Sequence, residues 1–184
     1  MNIRGLLLAG LCAGWCAVVG GSDIVTLMAP DFGKVKPTEV FALYCHPGYK
    51  ATLSSGQTED RAEIRLLVDE APEKPKNNQQ LQLRTLLKKP LKAGTEYRIA
   101  FRCRSDRPAW ISFRVQESVR PWESPTEKAG GSMQVTPEWK SVEYCFTVAK
   151  ESGNVVVWTP NFELGRLGAG NCFHLADLKI ESLD

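Results

Sequence analysis

The feature that most constrains this chain is an alternation of apolar and polar side chains with a period of two residues. In the segment 96–104, four apolar side chains fall on one side and three arginines on the other: Tyr97, Ile99, Phe101 and Cys103 against Arg98, Arg102 and Arg104. Successive side chains of a β-strand point to opposite faces of its sheet, so this spacing predicts a half-buried strand. Such strands are typical of antiparallel sheets with one core face.

The alternation recurs in 109–116 and 141–148, and further strands are predicted at 39–45, 50–54, 62–69, 79–87, 154–159 and 172–183. Turn residues separate these segments at short intervals, and helical periodicity is hard to find. This organisation is typical of an all-β sandwich or barrel. We expect the core to contain Tyr97, Ile99, Phe101, Ile111, Phe113, Val115, Trp139 and Phe146.

Two segments are predicted to be irregular. Residues 118–132 are rich in proline, glycine, serine and charge, and long connections of this kind are often functional. The run 165–170 looks like a glycine-rich phosphate loop, but no helical pattern follows it. It is interpreted as a hairpin-type turn before the last strand.

The N-terminus has the layout of a secretory signal peptide over residues 1–21, with Arg4, an apolar run and then small residues. We expect 22–184 to form one domain that is secreted or periplasmic and does not insert into a membrane. A retained membrane anchor is the alternative, although the apolar run is short for a span. Loss of Arg4 lowers the net charge from +2 to +1. This near-neutral balance gives no global attraction to nucleic acid or to a membrane surface.

Of the six cysteines, four lie beyond the predicted signal peptide: Cys45, Cys103, Cys145 and Cys172. No C-x-x-C pair occurs, which excludes a zinc ribbon or a thioredoxin-like motif. An exported chain of this size is compatible with one or two disulfides and does not need them. Alternation places Cys103 inside and Cys145 outside, so these two are predicted not to pair with each other.

Catalytic motifs are missing from the sequence. His46 follows Cys45 directly, and adjacent strand residues point to opposite faces, so the two cannot form a nucleophilic dyad. His174 is interpreted as an ordinary position in the last strand. No pair of acids is singled out for glycoside hydrolysis, and no serine-hydrolase, metalloprotease or phosphate-binding motif is present. The sequence therefore predicts a protein that is not an enzyme.

Three motifs from residue 91 onward occur in a distinctive order. They are L-x-A-G-x-x-Y-x-x-x-F at 91–101, T-x-E-W-K at 136–140, and L-G at 164–165 followed by D-x-x-I at 177–180. In this order they resemble the carbohydrate-binding modules of families 4 and 9. The resemblance covers the C-terminal half, whereas 22–87 carries no specific motif. It implies a galactose-binding-like fold, a two-sheet antiparallel jelly-roll sandwich.

The resemblance also bears on calcium. Members of these families commonly end with two adjacent acids in the last strand, the first often tied to a structural calcium ion. Here the pair reads Ala176 and Asp177. Because calcium prefers six or more oxygen ligands, losing one weakens the site. We therefore expect no cofactor, with Asp177 as a weak candidate ligand for a structural calcium.

The candidate carbohydrate site consists of Trp110, Arg114, Gln116 and Trp122. The first three share the face of strand 109–116 that alternation turns away from the core, and Trp122 lies in the loop that follows. The resemblance implies that this face binds glycan, with a tryptophan stacking on the sugar and the polar groups bonding its hydroxyls. Arginines of strand 96–104 on the same surface would make the cleft cationic. The alternatives are structural: Trp110 covering a sheet edge, Arg114 paired with a surface acid, Trp122 holding its loop, and the arginines balanced by Glu143.

The resulting prediction is a non-catalytic domain that binds a poly- or oligosaccharide outside the cytoplasm. The alternative is an envelope adhesion or assembly protein that uses the same sandwich to contact other proteins.

Overall fold

The alternating segments form two antiparallel sheets in a computed structural model, which describes residues 24–58, 60–126, 130–152 and 157–183. The predicted signal peptide lies outside these residues. One short helix, α1 (Pro37–Val40), precedes the second strand. The strands are β1 (Val25–Met28), β2 (Phe41–Cys45), β3 (Lys50–Gln57), β4 (Ala62–Glu70), β5 (Leu81–Leu87), β6 (Glu96–Ser105), β7 (Ala109–Glu117), β8 (Gly130–Val135), β9 (Lys140–Thr147), β10 (Val157–Glu163) and β11 (Cys172–Ser182).

Sheet A has the strand order β3-β4-β11-β6-β9, with β1 paired to β11, and sheet B has the order β2-β5-β10-β7-β8. The apolar side chains of both sheets meet between them. Phe101 of β6 packs edge-on against Phe113 of β7 and Phe162 of β10, with ring centroids 5.4 and 5.1 Å apart. These contacts join the two sheets directly. The predicted two-sheet antiparallel β-sandwich is confirmed.

The core prediction is confirmed for seven of its eight residues and is wrong for Trp139. The seven that are buried are Tyr97, Ile99, Phe101, Ile111, Phe113, Val115 and Phe146. Trp139 is only half-buried, and its ring lies near the guanidiniums of Arg61, Arg102 and Arg104. Its position along the chain explains this. Val142, Tyr144 and Phe146 contribute to the core cluster, so even-numbered side chains here point inward. Trp139 is odd-numbered and therefore belongs to the opposite face.

Two strands arise where none was predicted, β1 and β8. β8 begins inside 118–132, the segment predicted to be irregular. A Cβ at Gly130 would lie 1.8 Å from the carbonyl oxygen of Phe113, so only glycine lets β8 approach β7 this closely. Gly130 and Gly131 also have no apolar side chains, so the start of β8 lacks the alternation from which a strand is predicted.

Other details also differ from the prediction. The first two residues of 39–45 belong to α1, because Pro37 starts a helical turn that ends at Val40. β10 runs on to Glu163 past Pro160, through an irregular register between Trp158 and Asn161; residues 154–156 of the predicted strand lie outside the described residues. The hairpin interpretation of 165–170 is wrong, because this segment links β10 in sheet B to β11 in sheet A.

The cysteine prediction holds. Cys103 is fully buried and carries a free thiol, whereas Cys145 is half-buried. The two therefore do not pair with each other.

Candidate functional site

A groove of about 560 Å³ runs over the outer face of sheet B. We call it the sheet B groove. Its aromatic lining comes from Tyr44, Trp122 and Trp158, and its amide lining comes mainly from Gln79, Gln82 and Gln116. Most of these are the outward members of strands whose other residues fill the core. The groove is therefore a product of the same alternation that builds the fold.

Arg84 joins two of the aromatic rings. Its guanidinium carbon lies 4.5 Å from the ring centroid of Tyr44 and 4.0 Å from that of Trp158. The three residues come from the neighbouring strands β2, β5 and β10. Both distances are typical of cation–π contacts, which attract the guanidinium to the faces of the rings. Removal from water lowers the pKa of Arg84 below its usual value. The arginine therefore holds the two rings in place.

A chain of amide hydrogen bonds crosses the floor of the groove. Gln82 Oε1 accepts from Arg84 Nε at 2.9 Å and from Asn161 Nδ2 at 3.2 Å. Asn161 Nδ2 also donates to Gln116 Oε1 at 3.0 Å, and Gln116 Nε2 donates to the backbone carbonyl of Trp122 at 3.0 Å. Each amide is thus fixed in one orientation. Asn161 is fully buried, and its Oδ1 has no hydrogen-bond partner among the described residues.

Trp122 is presented by a strained backbone. Its φ is 60°, a left-handed conformation that costs a bulky residue about 1–3 kcal/mol. Its side chain is 46% exposed, and its N–H donates to the carbonyl of Val119 at 2.7 Å. The ring stands at the rim of the groove. Strain of this kind is common where a structure positions a functional side chain.

Trp110 lies outside the sheet B groove, in a neighbouring hollow of about 370 Å³ lined also by Ser112, Ser132 and Arg166. It is 53% exposed. The two hollows share Asn77, Gln79 and Glu163 as lining residues. They are therefore adjacent parts of one surface.

Arg114 holds Glu163. Its Nε lies 2.8 Å from Oε1 and its Nη2 lies 3.2 Å from Oε2, which makes a bidentate pair with a carboxylate that is only 4% exposed. Burial raises the pKa of Glu163 above its usual value, although Arg114 opposes the shift. Of the four residues predicted from the sequence, Gln116 and Trp122 line the groove, Trp110 lines the adjacent hollow, and Arg114 supports a carboxylate common to both.

Tyr44, Arg84 and Trp158 were missed by the sequence interpretation. All three lie in predicted strands, but those strands matched no family motif and their outward residues were not considered. The signal was present in the alternation: Leu81 and Leu83 are fully buried, so Gln82 and Arg84 must face outward.

The outer face of sheet A is occupied by charges. Arg98 pairs with Glu143 at 3.0 Å and with Glu181 at 2.6 Å. Because β6 belongs to sheet A and β7 to sheet B, the arginines of β6 lie on the opposite side of the sandwich from the groove. The expectation of a cationic cleft is wrong, and the alternative of balance by Glu143 is confirmed for Arg98. Asp177 is exposed, and its Oδ2 lies 3.1 Å from Arg61 Nη1.

His174 is not an ordinary strand residue. It is 5% exposed, with Nδ1 3.1 Å from Glu63 Oε1 and Nε2 2.9 Å from Asp106 Oδ1. Cys172 lies beside it on the same face of β11. Burial raises the pKa of the Cys172 thiol to about 11. His46, by contrast, is exposed at the end of β2, on the rim of the groove.

No protein-family model matches this chain, and no curated protein matches it either. Solved structures do match it in fold. The CBM22-1 xylan-binding domain of Xyn10C from Paenibacillus barcinonensis superposes with a TM-score of 0.62 at 12% identity, covering 90% of this chain and 99% of that one. A CBM4 structure gives a TM-score of 0.60 at 16% identity, covering 86% and 94% of the two chains.

A third similar structure is the family 11 carbohydrate-binding module of Clostridium thermocellum in complex with a β-1,3-1,4-mixed-linked tetrasaccharide. It superposes with a TM-score of 0.53 at 13% identity, covering 88% of this chain and 96% of that one. The chain therefore has the β-sandwich fold of carbohydrate-binding modules. Among the described residues, no helix has the length and apolar character needed to cross a membrane.

Proposed function

We propose that this chain is a non-catalytic carbohydrate-binding domain, exported from the cytoplasm, whose sheet B groove binds a poly- or oligosaccharide. The observation that carries the proposal is the combination of aromatic rings and fixed amides in one open groove on an outer sheet face. The shared fold supports it, because one similar structure is a xylan-binding domain and another holds a mixed-linked tetrasaccharide.

The chemistry of sugars suits this lining. A pyranose ring presents apolar C–H groups on its faces and hydroxyls around its edge. An aromatic ring stacked on such a face contributes about 0.5–1.5 kcal/mol beyond the buried area, by analogy with aromatic pairs. Amides that are already oriented bond hydroxyls without further ordering, which reduces the entropic cost of binding.

Each candidate residue has a proposed role. Trp122 and Trp158 stack on sugar rings, and Gln116 bonds hydroxyls in the groove. Trp110 extends the contact surface into the adjacent hollow. Arg114 acts through Glu163, whose carboxylate it orients between the two hollows. Glu163, rather than Arg114, is the residue that bonds sugar hydroxyls there.

The proposal is tested by a glycan-array screen of the full chain, followed by titration calorimetry with the oligosaccharide that binds best. Trp122→Ala should weaken binding about tenfold, which corresponds to the loss of about 1.4 kcal/mol. Trp139→Ala is the matched control, because it removes a tryptophan from the opposite face and should leave the affinity unchanged. Equal losses in both variants, or no binding to any glycan, would contradict the proposal. The latter result would favour an adhesion or assembly role.

A further inference from the structure

We propose that Asp106, Cys172 and His174 form a site for a transition-metal ion, Zn²⁺ in the first instance, on the outer face of sheet A. One ligand atom from each residue, a carboxylate oxygen, the thiol sulfur and an imidazole nitrogen, lies within 4.8 Å of the other two. This site is separate from the sheet B groove and independent of carbohydrate binding.

The fold brings the three residues together for simple reasons. Cys172 and His174 are alternate residues of β11, so both point away from the core. Asp106 directly follows β6, which pairs with β11 so that Ser105 lies opposite Phe173. The N–H of Asp106 donates to the carbonyl of Cys172 at 3.1 Å, which fixes the end of β6 against the start of β11.

The donor set is one that zinc prefers. Thiolate, imidazole and carboxylate are its three protein ligands, at bond lengths of about 2.0–2.3 Å, so tetrahedral ligand atoms lie about 3.3–3.8 Å apart. Nε2 of His174 and Oδ1 of Asp106 are already 2.9 Å apart. Because all three atoms lie within 4.8 Å of one another, tetrahedral geometry requires the sulfur to move inward by at most about 1 Å and the other two atoms to separate by a few tenths of an ångström. The Zn–S bond forms as the thiol proton passes to solvent, with no change in oxidation state.

The surroundings resemble those of a metal-bound histidine. Glu63 is fully buried, and its Oε1 lies 3.1 Å from His174 Nδ1. Once the guanidinium of Arg104 moves away from Nδ1, a carboxylate in this position accepts a hydrogen bond from the Nδ1 proton and leaves Nε2 for the metal. Oε1 of Glu63 also accepts from Arg65 Nε at 2.5 Å, whereas its second oxygen, Oε2, has no hydrogen-bond partner among the described residues. The charge of Glu63 is therefore paired with Arg65, and its part in the metal site is to orient His174.

The charge of the ligands and the solvent exposure of Asp106 also suit a divalent metal ion. The carboxylate of Asp106 and the thiolate of Cys172 carry two negative charges, which match an ion of charge +2, and the charge of Glu63 is balanced by Arg65. Arg104 opposes the metal, because its Nη1 lies 3.5 Å from Asp106 Oδ1 and its Nη2 lies 3.1 Å from His174 Nδ1. Its guanidinium already contacts the Trp139 ring at 5.3 Å and can settle there. The Asp106 side chain is 51% exposed, which leaves the fourth coordination position open to water.

The test is a Co²⁺ titration of the full chain after removal of metals, followed by displacement with Zn²⁺. We expect one cobalt ion per cluster, with a thiolate-to-cobalt charge-transfer band and the visible bands of a tetrahedral site. Cys172→Ser should abolish the charge-transfer band and weaken binding about 100-fold or more, since even outer-shell substitutions cost about 10–100-fold. Cys45→Ser, which makes the same substitution on β2, is the control and should change neither the charge-transfer band nor the affinity for Co²⁺. Cys12 and Cys16 remain in every variant, so differences between variants report on the cluster.

Asp106→Asn decides the case if Cys172→Ser fails to fold in a thermal melt. Asp106 is exposed, so its amide variant should fold and bind Co²⁺ at least about tenfold more weakly. A charge-transfer band that survives Cys172→Ser, an affinity that is unchanged in Asp106→Asn, or the absence of any thiolate band would each overturn the proposal.

Discussion

The two outer faces of this sandwich are built by the same alternation and differ in what their side chains do. On the sheet B face, rings and amides line an open groove, and Arg84 is held by aromatic rings rather than by an acid. On the sheet A face, arginines pair with acids: Arg61 with Asp177, and Arg98 with Glu143 and Glu181. Charges that are already paired have little capacity left for a neutral ligand. On sheet A most outward charges are therefore used for cohesion, and under the proposed function the open groove of sheet B is the face that serves recognition.

The largest effect that would sharpen this comparison concerns Arg98. Its partner Glu181 is 2% exposed, and removal of one member of a buried ion pair costs about 3–5 kcal/mol. Lys179 still pairs with Glu181 in the variant and partly compensates its charge. Arg98→Ala should therefore lower the free energy of unfolding by about 3 kcal/mol, the lower end of this range. Affinity for glycan should not change. Chemical denaturation beside calorimetry measures both quantities.

The double variant Arg98→Met with Glu181→Leu is the control for this prediction. Replacing a buried pair by apolar residues is often neutral, so the double variant should recover most of the lost stability. If the double variant is as unstable as Arg98→Ala, the loss comes from packing of the arginine stem rather than from the unpaired carboxylate.

A second prediction contrasts the buried acids of the two faces. Burial raises the pKa of Glu181, but hydrogen bonds from Lys179 and Arg98 outweigh it, and the pKa lies below its usual value. Glu181 thus contributes stability above the pKa of an unfolded glutamate, and this stability is lost as pH falls through the folded-state pKa. For Glu163 burial prevails and the pKa is raised. Its contribution is present at low pH and is lost as pH rises through the folded-state pKa.

These opposite signs predict opposite results at neutral pH. Glu181→Gln should destabilise the protein by about 2 kcal/mol, since hydrogen bonds to charged groups are worth about 1.5–3 kcal/mol. Glu163→Gln should cost less than Glu181→Gln at neutral pH, because the raised pKa of Glu163 means that folding disfavours its ionised form. Unfolding curves from pH 3 to 8 provide the measurement. If Glu163→Gln loses as much unfolding free energy as Glu181→Gln, the two buried acids contribute to stability in the same way and the prediction is wrong.

Most strands and most of the core were predictable from the sequence, although β1, β8 and the position of Trp139 were not, and the groove was predictable only in part. Buried positions such as Phe101 and Ile111 repeat every second residue, and this period is visible without any knowledge of neighbouring strands. The groove depends on which strands lie side by side. Tyr44 and Trp158 are far apart in sequence and meet through Arg84 because β5 lies between β2 and β10. Similarly, nothing local to His174 indicates that Glu63 and Asp106 surround it.

Arg84 provides the third prediction, because it anchors the aromatic side of the groove. Arg84→Lys keeps the charge but loses the planar guanidinium that contacts Tyr44 and Trp158, and the two residues are not interchangeable at a stacked site. Binding should weaken about fivefold to tenfold, which corresponds to about 1.0–1.4 kcal/mol. Arg102→Lys on sheet A is the matched control, since Arg102 lies over Trp139, and it should leave binding unchanged. Unchanged affinity in Arg84→Lys would mean that the rings keep their positions unaided.

Trp110 gives the smallest effect and tests how far the recognition surface extends. Because Trp110 lies in the hollow beside the groove, a short oligosaccharide that fills only the groove does not reach it. Trp110→Ala should therefore leave the affinity for such a ligand unchanged. A longer chain that crosses Glu163 into the second hollow should lose about 0.5–1 kcal/mol, about twofold to fivefold in affinity, on the scale of a weak aromatic contact. Titrations with a series of increasing chain length separate the two cases. A loss that is equal at every length would place Trp110 within the primary site, and no loss at any length would make it the cover of a sheet edge.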